Sequence, residues 1–216
     1  MIKVLNATSK PISFIGQTSG ICYGSDTKTQ EKNFKRGMKC IEDGHGRVME
    51  YADVVLEIDE YSARAIRELY VHIIGTSRVQ ASTRYINYGS DNFKYYIPES
   101  IEKDAACLSL YKEEMNYILH TYNDLIQFGV PKEDAANLLP LGLFSKVVLK
   151  INLRALLHFA EMRLCARAYK EIQDMCKEMI DVISEIDDEW KILMGFMKPK
   201  CKICTEKQNC PKLKNK

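Results

Sequence analysis

Three stretches of this 216-residue chain carry side chains whose types and spacing suit chemistry. The first runs from His72 to Tyr85, HIIGTSRVQASTRY, where a helix end passes through Gly75 into a loop bearing Arg78, Gln80, Ser82 and Arg84. A phosphate needs convergent N–H and O–H donors around a fixed positive charge. A Ser-x-Arg turn supplies a hydroxyl, backbone amides and a bidentate guanidinium. The same residues also describe an ordinary polar turn with a surface arginine. The second stretch begins Asn152-Leu153-Arg154 and continues through His158, Arg163 and Arg167. At ~100° per residue, Arg154 and His158 lie about 40° apart on a helix, while Arg163 lies about 180° from Arg154. Such a helix shows polar groups on two faces. It is either a solvated face with packed arginine methylenes or a helix flanked by two binding sites, as an oligomer would build. The third stretch is Gly44-His45-Gly46-Arg47 leading to Glu50. Its glycines let backbone approach a ligand, Arg47 can reach a phosphate and Glu50 can accept from a ribose, although a plain helix-to-strand turn reads the same way. His120 lies mid-helix and reads as an ordinary surface or core histidine.

The eight cysteines divide by position. Cys22, Cys40, Cys107, Cys165 and Cys176 are scattered through patterned segments, as small buried hydrophobes are. Cys201, Cys204 and Cys210 crowd into the last sixteen residues among lysines. A Cys-x-x-Cys pair can clasp a metal, but a closed zinc or iron–sulfur site wants four ligands and the tail supplies three, so a fourth such as Cys40 would have to join them. A flexible thiol-bearing tail is the preferred reading, with the metal clasp as the alternative.

Elements must position these groups. Residues 1–8 read as a strand, 27–43 as an amphipathic helix closed by Gly44, and Val48 to Ile58 as a strand. Ser62 to His72 has Ala63, Ile66, Leu69 and Tyr70 at helical spacing, ended by Gly75. Arg84 to Pro98, rich in Tyr, Ile, Asn and Gly, reads as extended chain and turns. Ile101 to Phe128 reads as a helix closed by Gly129 and restarted by Pro131, with breaks at Pro140 and Gly142. Phe144 to Leu149 fits a strand or a first helical turn. Asn152 to about Ile186 reads as one uninterrupted helix of about 50 Å, long enough to serve an interface as well as a core. The class is α+β, helical in its second half, with a domain over 1–196 and a Cys/Lys-rich tail over 197–216.

Composition sets the outer bounds. Thirty-one Lys and Arg against twenty-nine Asp and Glu leave a net charge of +2, too small for a bulk field that would gather nucleic acid or an anionic membrane. Anions must be met by local sites. No apolar run reaches the ~20 residues of a membrane span, and MIKVLNATSKPISFIG lacks the features of a secretory leader, so a cytoplasmic protein with reduced thiols is expected. No Ser/His/Asp grouping, Rossmann fingerprint or Walker loop stands out, which removes support from hydrolase and nucleotide-kinase readings.

Taken together, these segments resemble the flavin-dependent thymidylate synthases over most of residues 1–180. Gln80-Ala81-Ser82-Thr83-Arg84-Tyr85 is similar to the family's Glu/Gln-x-Ser-x-Arg-Tyr ending, and Asn152-x-Arg154 with His158-Phe159, Arg163 and Ala168-x-x-Glu171-Ile172 follows in the same order and separation. Gly44-His45 ending in Glu50 resembles the family's Gly-His-x-x-x-x-Glu segment. Cys22-Tyr23 falls where an early aromatic helix is expected, and Leu139-Pro140-Leu141 precedes the long helix. The chain departs from the pattern too. Val71-His72-Ile73 replaces the usual Arg-His-Arg, one extra residue precedes Gln80, and Ala136 stands where many members place a phosphate-binding arginine. Arg78, within the insertion, is expected to replace one lost guanidinium, marking a divergent branch.

The resemblance implies a central mixed or antiparallel sheet with long helices, a homotetramer with shared active sites, and reductive methylation of dUMP to dTMP. The carbon comes from the folate 5,10-methylenetetrahydrofolate and the reducing power from NADPH through FAD. No protein nucleophile is required, and the Pro-Cys-Gln setting of the other thymidylate synthase class is absent. It implies Arg163 as the catalytic residue, a dUMP site of Gln80, Ser82, Thr83, Arg84 and Arg163, and an FAD site of Arg47, Glu50, His72, Arg78, Asn152, Arg154 and His158. The alternatives are a related hydroxymethyl transferase acting on a pyrimidine nucleotide and a non-catalytic helical oligomer with a metal-binding tail.

Overall fold

Alternating burial marks the two central strands. In β2, Asp53–Ile58, the side chains of Val54, Leu56 and Ile58 are buried and their neighbours half-exposed, and β4, Val147–Asn152, buries Val147, Leu149 and Ile151 in the same rhythm. With β1, Ile2–Ala7, and β3, Thr76–Gln80, they form a four-stranded sheet in the order β1-β2-β4-β3. β1 and β2 run antiparallel from Ile2 opposite Ile58 to Ala7 opposite Val54, with a bulge between Val4 and Asn6. The computed structural model describes residues 1–89, 92–201, 204, 205, 208, 210 and 211.

Two compact units share the chain. The first comprises Met1–Ile58, Glu68–Arg78 and Val148–Lys216, the second Asp59–Arg67 and Val79–Val147. In the first, α1, Pro11–Cys22, packs on α2, Gln30–Glu42, with backbones nearly touching: a Cβ on Gly16 would fall 1.7 Å from the Asn33 carbonyl oxygen, and one on Gly37 1.9 Å from that of Ile12. Only glycine permits that approach. A helical turn, α3, Gly46–Met49, leads into β2. After β4 come α8, Leu153–Arg163, α9, Lys170–Ser184, and α10, Asp188–Met194. Leu156, Phe159, Ile172, Met175, Met179 and Trp190 are fully buried there. Trp190 Nε1 donates to the Thr8 carbonyl at 2.9 Å, so burying the indole strands no donor.

The second unit holds its own core of Tyr88, Phe93, Met115, Tyr122, Ala135 and Leu143. Its helices are α5, Glu99–Glu102, α6, Ala105–Gln127, and α7, Lys132–Ala135, the last continued by a 3-10 turn over Ala136–Leu138. Helix α4, Ala63–Tyr70, passes from this unit into the first.

Several sequence expectations are corrected. The single helix from Asn152 to Ile186 is two, parted at 164–169 by a turn in which Ala168 N–H donates to the Cys165 carbonyl and Gln173 Nε2 caps the Ala168 carbonyl at 2.7 Å. No proline or glycine marks that break, so local propensity gave no sign of it, and the argument from a 50 Å helix lapses. The expected strand from Val48 begins only at Asp53, because Glu50 N–H and Tyr51 N–H close turns onto Arg47 and Val48. The expected helix over 101–128 is broken at Asp104, whose carboxylate caps α6 by accepting from Ala106 and Cys107 N–H at 2.9 Å. Helix α1 was foreshadowed only by the family likeness at Cys22-Tyr23. Cys40 is buried and its thiol points to Ser19 Oγ at 3.6 Å, so it is no fourth ligand to the tail. Among the described residues no group of three or more His, Cys, Asp or Glu side chains is placed to hold a metal. Cys201, Cys204 and Cys210 are free thiols, while tail residues 202, 203, 206, 207, 209 and 212–216 lie outside the described set. No helix among the described residues is long and apolar enough to cross a membrane.

Candidate functional site

The tightest grouping of predicted residues lies in the first unit, where α8 meets the chain leaving α4. Arg163, the last residue of α8, has a side chain only 16% exposed. Each of its guanidinium nitrogens has an acceptor: Nη1 donates to Glu68 Oε2 at 2.9 Å, Nη2 to the Glu68 carbonyl at 3.0 Å, and Nε to His72 Nε2 at 3.0 Å. A buried guanidinium requires such partners, because an unpaired charge out of water is costly. The His72 ring packs edge-on to Phe159 at 5.0 Å and lies 5.8 Å from the His158 ring. Burial first, then the Arg163 charge and the neighbouring His158 ring, push the His72 pKa down from 6.5 to about 4, although Glu68 pulls the other way. His72 is therefore a neutral imidazole at physiological pH, accepting at Nε2 and carrying its proton on Nδ1.

Two devices hold the loop that presents His72. Gly75 adopts φ +75°, and a Cβ there would fall 2.7 Å from both terminal atoms of the Asn152 side chain. Asn152 in turn caps α8, its Oδ1 accepting from Ala155 N–H at 2.9 Å, and its N–H donates to the Gly75 carbonyl. Arg78 donates to the His72 carbonyl at 3.0 Å and lays its guanidinium over the Tyr70 ring at 4.5 Å, while Thr76 Oγ1 donates to the same carbonyl at 2.7 Å. Arg78 thus closes the inserted turn.

Further along the same unit, Arg154 and Glu50 form an ion pair at 2.5 Å, with the Arg154 side chain also lying over Gly46. Glu50 and Asn152 line a cavity of about 300 Å³ with Asp53, Gly75, Thr76 and Lys150. Arg47 and His45 line a second, of about 370 Å³, with Tyr23, Cys40 and Ser19. The Arg47 side chain has no hydrogen-bond or ion-pair partner among the described residues. His158 is exposed, 4.0 Å from Glu161. Arg154 and Arg163 differ in environment along α8, the first exposed and the second largely covered.

The predicted nucleotide loop belongs to the second unit. Gln80 Nε2 donates to Ser145 Oγ at 2.8 Å, and Ala81 N–H donates to the Lys146 carbonyl, continuing the β3 edge. Ser82 opens a turn: its carbonyl accepts from Tyr85 and Ile86 N–H, and its Oγ accepts from Arg84 N–H at 3.3 Å. Thr83 is exposed at the apex. Arg84 pairs with Glu133 at 2.7 Å through side chains more than half exposed, an interaction worth little in water. Glu68 is the one residue of the cluster that sequence reasoning missed. Its only sequence sign is an acid four positions before His72.

Comparison with known proteins identifies the family and the fold. The family profile described as thymidylate synthase complementing protein matches residues 3–187, a span holding every predicted site residue outside the tail. A flavin-dependent thymidylate synthase of Pyrococcus furiosus is 30% identical over 210 residues, 93% of this chain and 86% of the relative. Two solved structures have a similar fold. A UMP/dUMP methylase, PolB, from Streptomyces cacaoi, solved with 5-Br dUMP, has a TM-score of 0.75 at 16% identity, covering 90% of this chain and 94% of its own. A flavin-dependent thymidylate synthase from Helicobacter pylori, solved with FAD and dUMP, has a TM-score of 0.68 at 20% identity, covering 91% and 99%. With the glycine turn, the capped α8 and the loop after β3 all inside the matched span, the chain belongs to the thymidylate synthase complementing family, the flavin-dependent thymidylate synthases.

Proposed function

We propose that this chain converts dUMP to dTMP by FAD-dependent reductive methylation, with 5,10-methylenetetrahydrofolate as carbon donor and NADPH as reductant. The observation that carries the reading is the family match over residues 3–187. Within it, Arg163 faces the pyrimidine, and its fixed, desolvated positive charge stabilises the negative charge that gathers on the uracil ring as its carbon attacks the incoming one-carbon unit. Gln80, Ser82, Thr83 and Arg84 take the phosphate side of dUMP, where the hydroxyl turn and an exposed guanidinium meet an anion at little desolvation cost.

The donor set of the first unit fits a flavin dinucleotide: the Arg47 side chain has no partner among the described residues, His45 lines the same cavity, and Asn152 and Thr76 line a second one large enough for part of a cofactor. Arg47, Glu50, His72, Asn152, Arg154 and His158 would hold FAD directly, and Arg78 would act by fixing the His72 turn. FAD, when bound, supplies the hydride-transfer chemistry that no side chain can. Neutral His72 contributes a donor and a flat ring face without adding charge beside Arg163. The assembly is a homotetramer with active sites shared between subunits. Support comes from the apolar side chains of Val71, Ile73, Ile74 and Val79, which stand 62–86% exposed beside the proposed site residues.

Replacing Arg163 tests the assignment. Arg163→Ala should keep the yellow flavin spectrum and lose about a hundredfold or more in dTMP formation, the scale of removing one charge-stabilising donor. Near-normal turnover by that variant would remove Arg163 from its role. Mass analysis of the nucleotide product separates methyl from hydroxymethyl transfer, and a colourless protein indifferent to FAD would indicate a non-catalytic oligomer.

A further inference from the structure

The three acceptors of Arg163 differ in how readily they let go. The Glu68 carbonyl belongs to the backbone of α4. His72 Nε2 sits on a ring packed against Phe159, in a turn tied down by Arg78 and Thr76. The Glu68 carboxylate, by contrast, hangs on a side chain 35% exposed, and among these three contacts it makes only the one to Nη1. It can swing into water and be fully solvated there. Arg163, at 16% exposure, has no such freedom and needs a replacement acceptor at Nη1 whenever Glu68 leaves.

We propose that Glu68 is a latch on Arg163: its carboxylate fills the Nη1 position until a pyrimidine carbonyl displaces it, while the Glu68 backbone carbonyl and His72 Nε2 keep the guanidinium in place. This rests on the reading that Arg163 meets the pyrimidine. Nucleotide binding then becomes an exchange of acceptors. A charge-assisted bond to carboxylate is stronger than one to a neutral carbonyl, so the latch opposes binding and demands a well-placed carbonyl from any ligand that opens it. Glu68 is thus a positioning residue that acts through Arg163 and selects for a ring with a carbonyl at that point.

Calorimetric titration of the FAD-loaded, full-length enzyme with dUMP in the absence of folate tests this. Glu68→Gln keeps the size of the side chain but removes the charge of the competitor, so dUMP should bind roughly fivefold tighter, the ratio expected when a charged hydrogen-bond competitor becomes a neutral one. Glu68→Ala, which removes the acceptor, should shift affinity in the same direction, and in steady state the KM for dUMP should fall by more than kcat changes. In an Arg163→Ala background, Glu68→Gln should leave dUMP affinity unchanged. Unaltered or weaker dUMP binding by both single variants would overturn the latch. So would equal tightening with and without Arg163, which would mean that Glu68 repels the nucleotide directly. If Arg163→Ala alone binds dUMP as tightly as the parent, the Arg163 assignment itself has failed, an outcome distinct from failure of the latch.

Discussion

His72 shows how surroundings set what a side chain can do. The residue type suggests a group that changes charge near neutral pH, but burial, the Arg163 charge and the neighbouring His158 lower its pKa to about 4. The folded chain therefore holds His72 neutral where the unfolded chain, near 6.5, begins to take up a proton. Unfolding binds protons across that window, so His72 makes the fold less stable as pH falls from 6.5 towards 4 and has no effect of this kind above it. Urea unfolding at pH 7 and pH 4.5 should show a loss for the parent that His72→Gln lessens. An identical loss in the variant would place the titration elsewhere. Cys176 shows the same control in the other direction, since burial pushes its thiol pKa up to about 12 and leaves it unreactive. Candidate side chains such as Arg163 and His72 were legible as types. That Glu68, an unremarkable acid in an amphipathic helix, closes the set was not, because its contact spans 95 positions.

At the scale of elements, the turn from Gly75 and the start of α8 stand or fall together. Asn152 serves both, capping the helix through its side chain and bonding the Gly75 carbonyl through its backbone. Gly75→Ala places a methyl group on the Asn152 amide at a backbone angle that L residues rarely adopt, and should cost about 2 kcal/mol in urea unfolding. Asn152→Ala loses the cap alone and should cost ~1 kcal/mol. If the glycine variant proved the milder of the two, the close packing of that turn would be wrong. Gly44, Gly75, Gly129 and Pro131 were legible as punctuation because each acts on its own backbone. The break between α8 and α9 was not, because Gln173 makes it from the following helix rather than from within the turn.

For the whole molecule, the prediction is that the tail can be removed without loss of the proposed tetramer. Lys200 N–H bonds the Glu161 carbonyl at 3.2 Å, so truncation after Lys200 keeps this anchor and removes all three tail cysteines. Light scattering should give four times the 24.9 kDa chain mass for the full-length and truncated proteins alike, with flavin retained. Loss of the tetramer or of a bound metal on truncation would instead make the tail structural. The sequence by itself determined what acts locally or through spacing along the chain: the existence of β1 and the core of β2, the amphipathic α2 and α4, the near-neutral charge, and the ordered residue pattern that carries the family likeness. Tertiary structure alone decided where the long helix breaks, that Cys40 is buried beside Ser19, and that Arg163 is held by Glu68 and His72. Those outcomes depend on which distant groups meet once water is excluded, and burial then sets the price of leaving a charge unpaired.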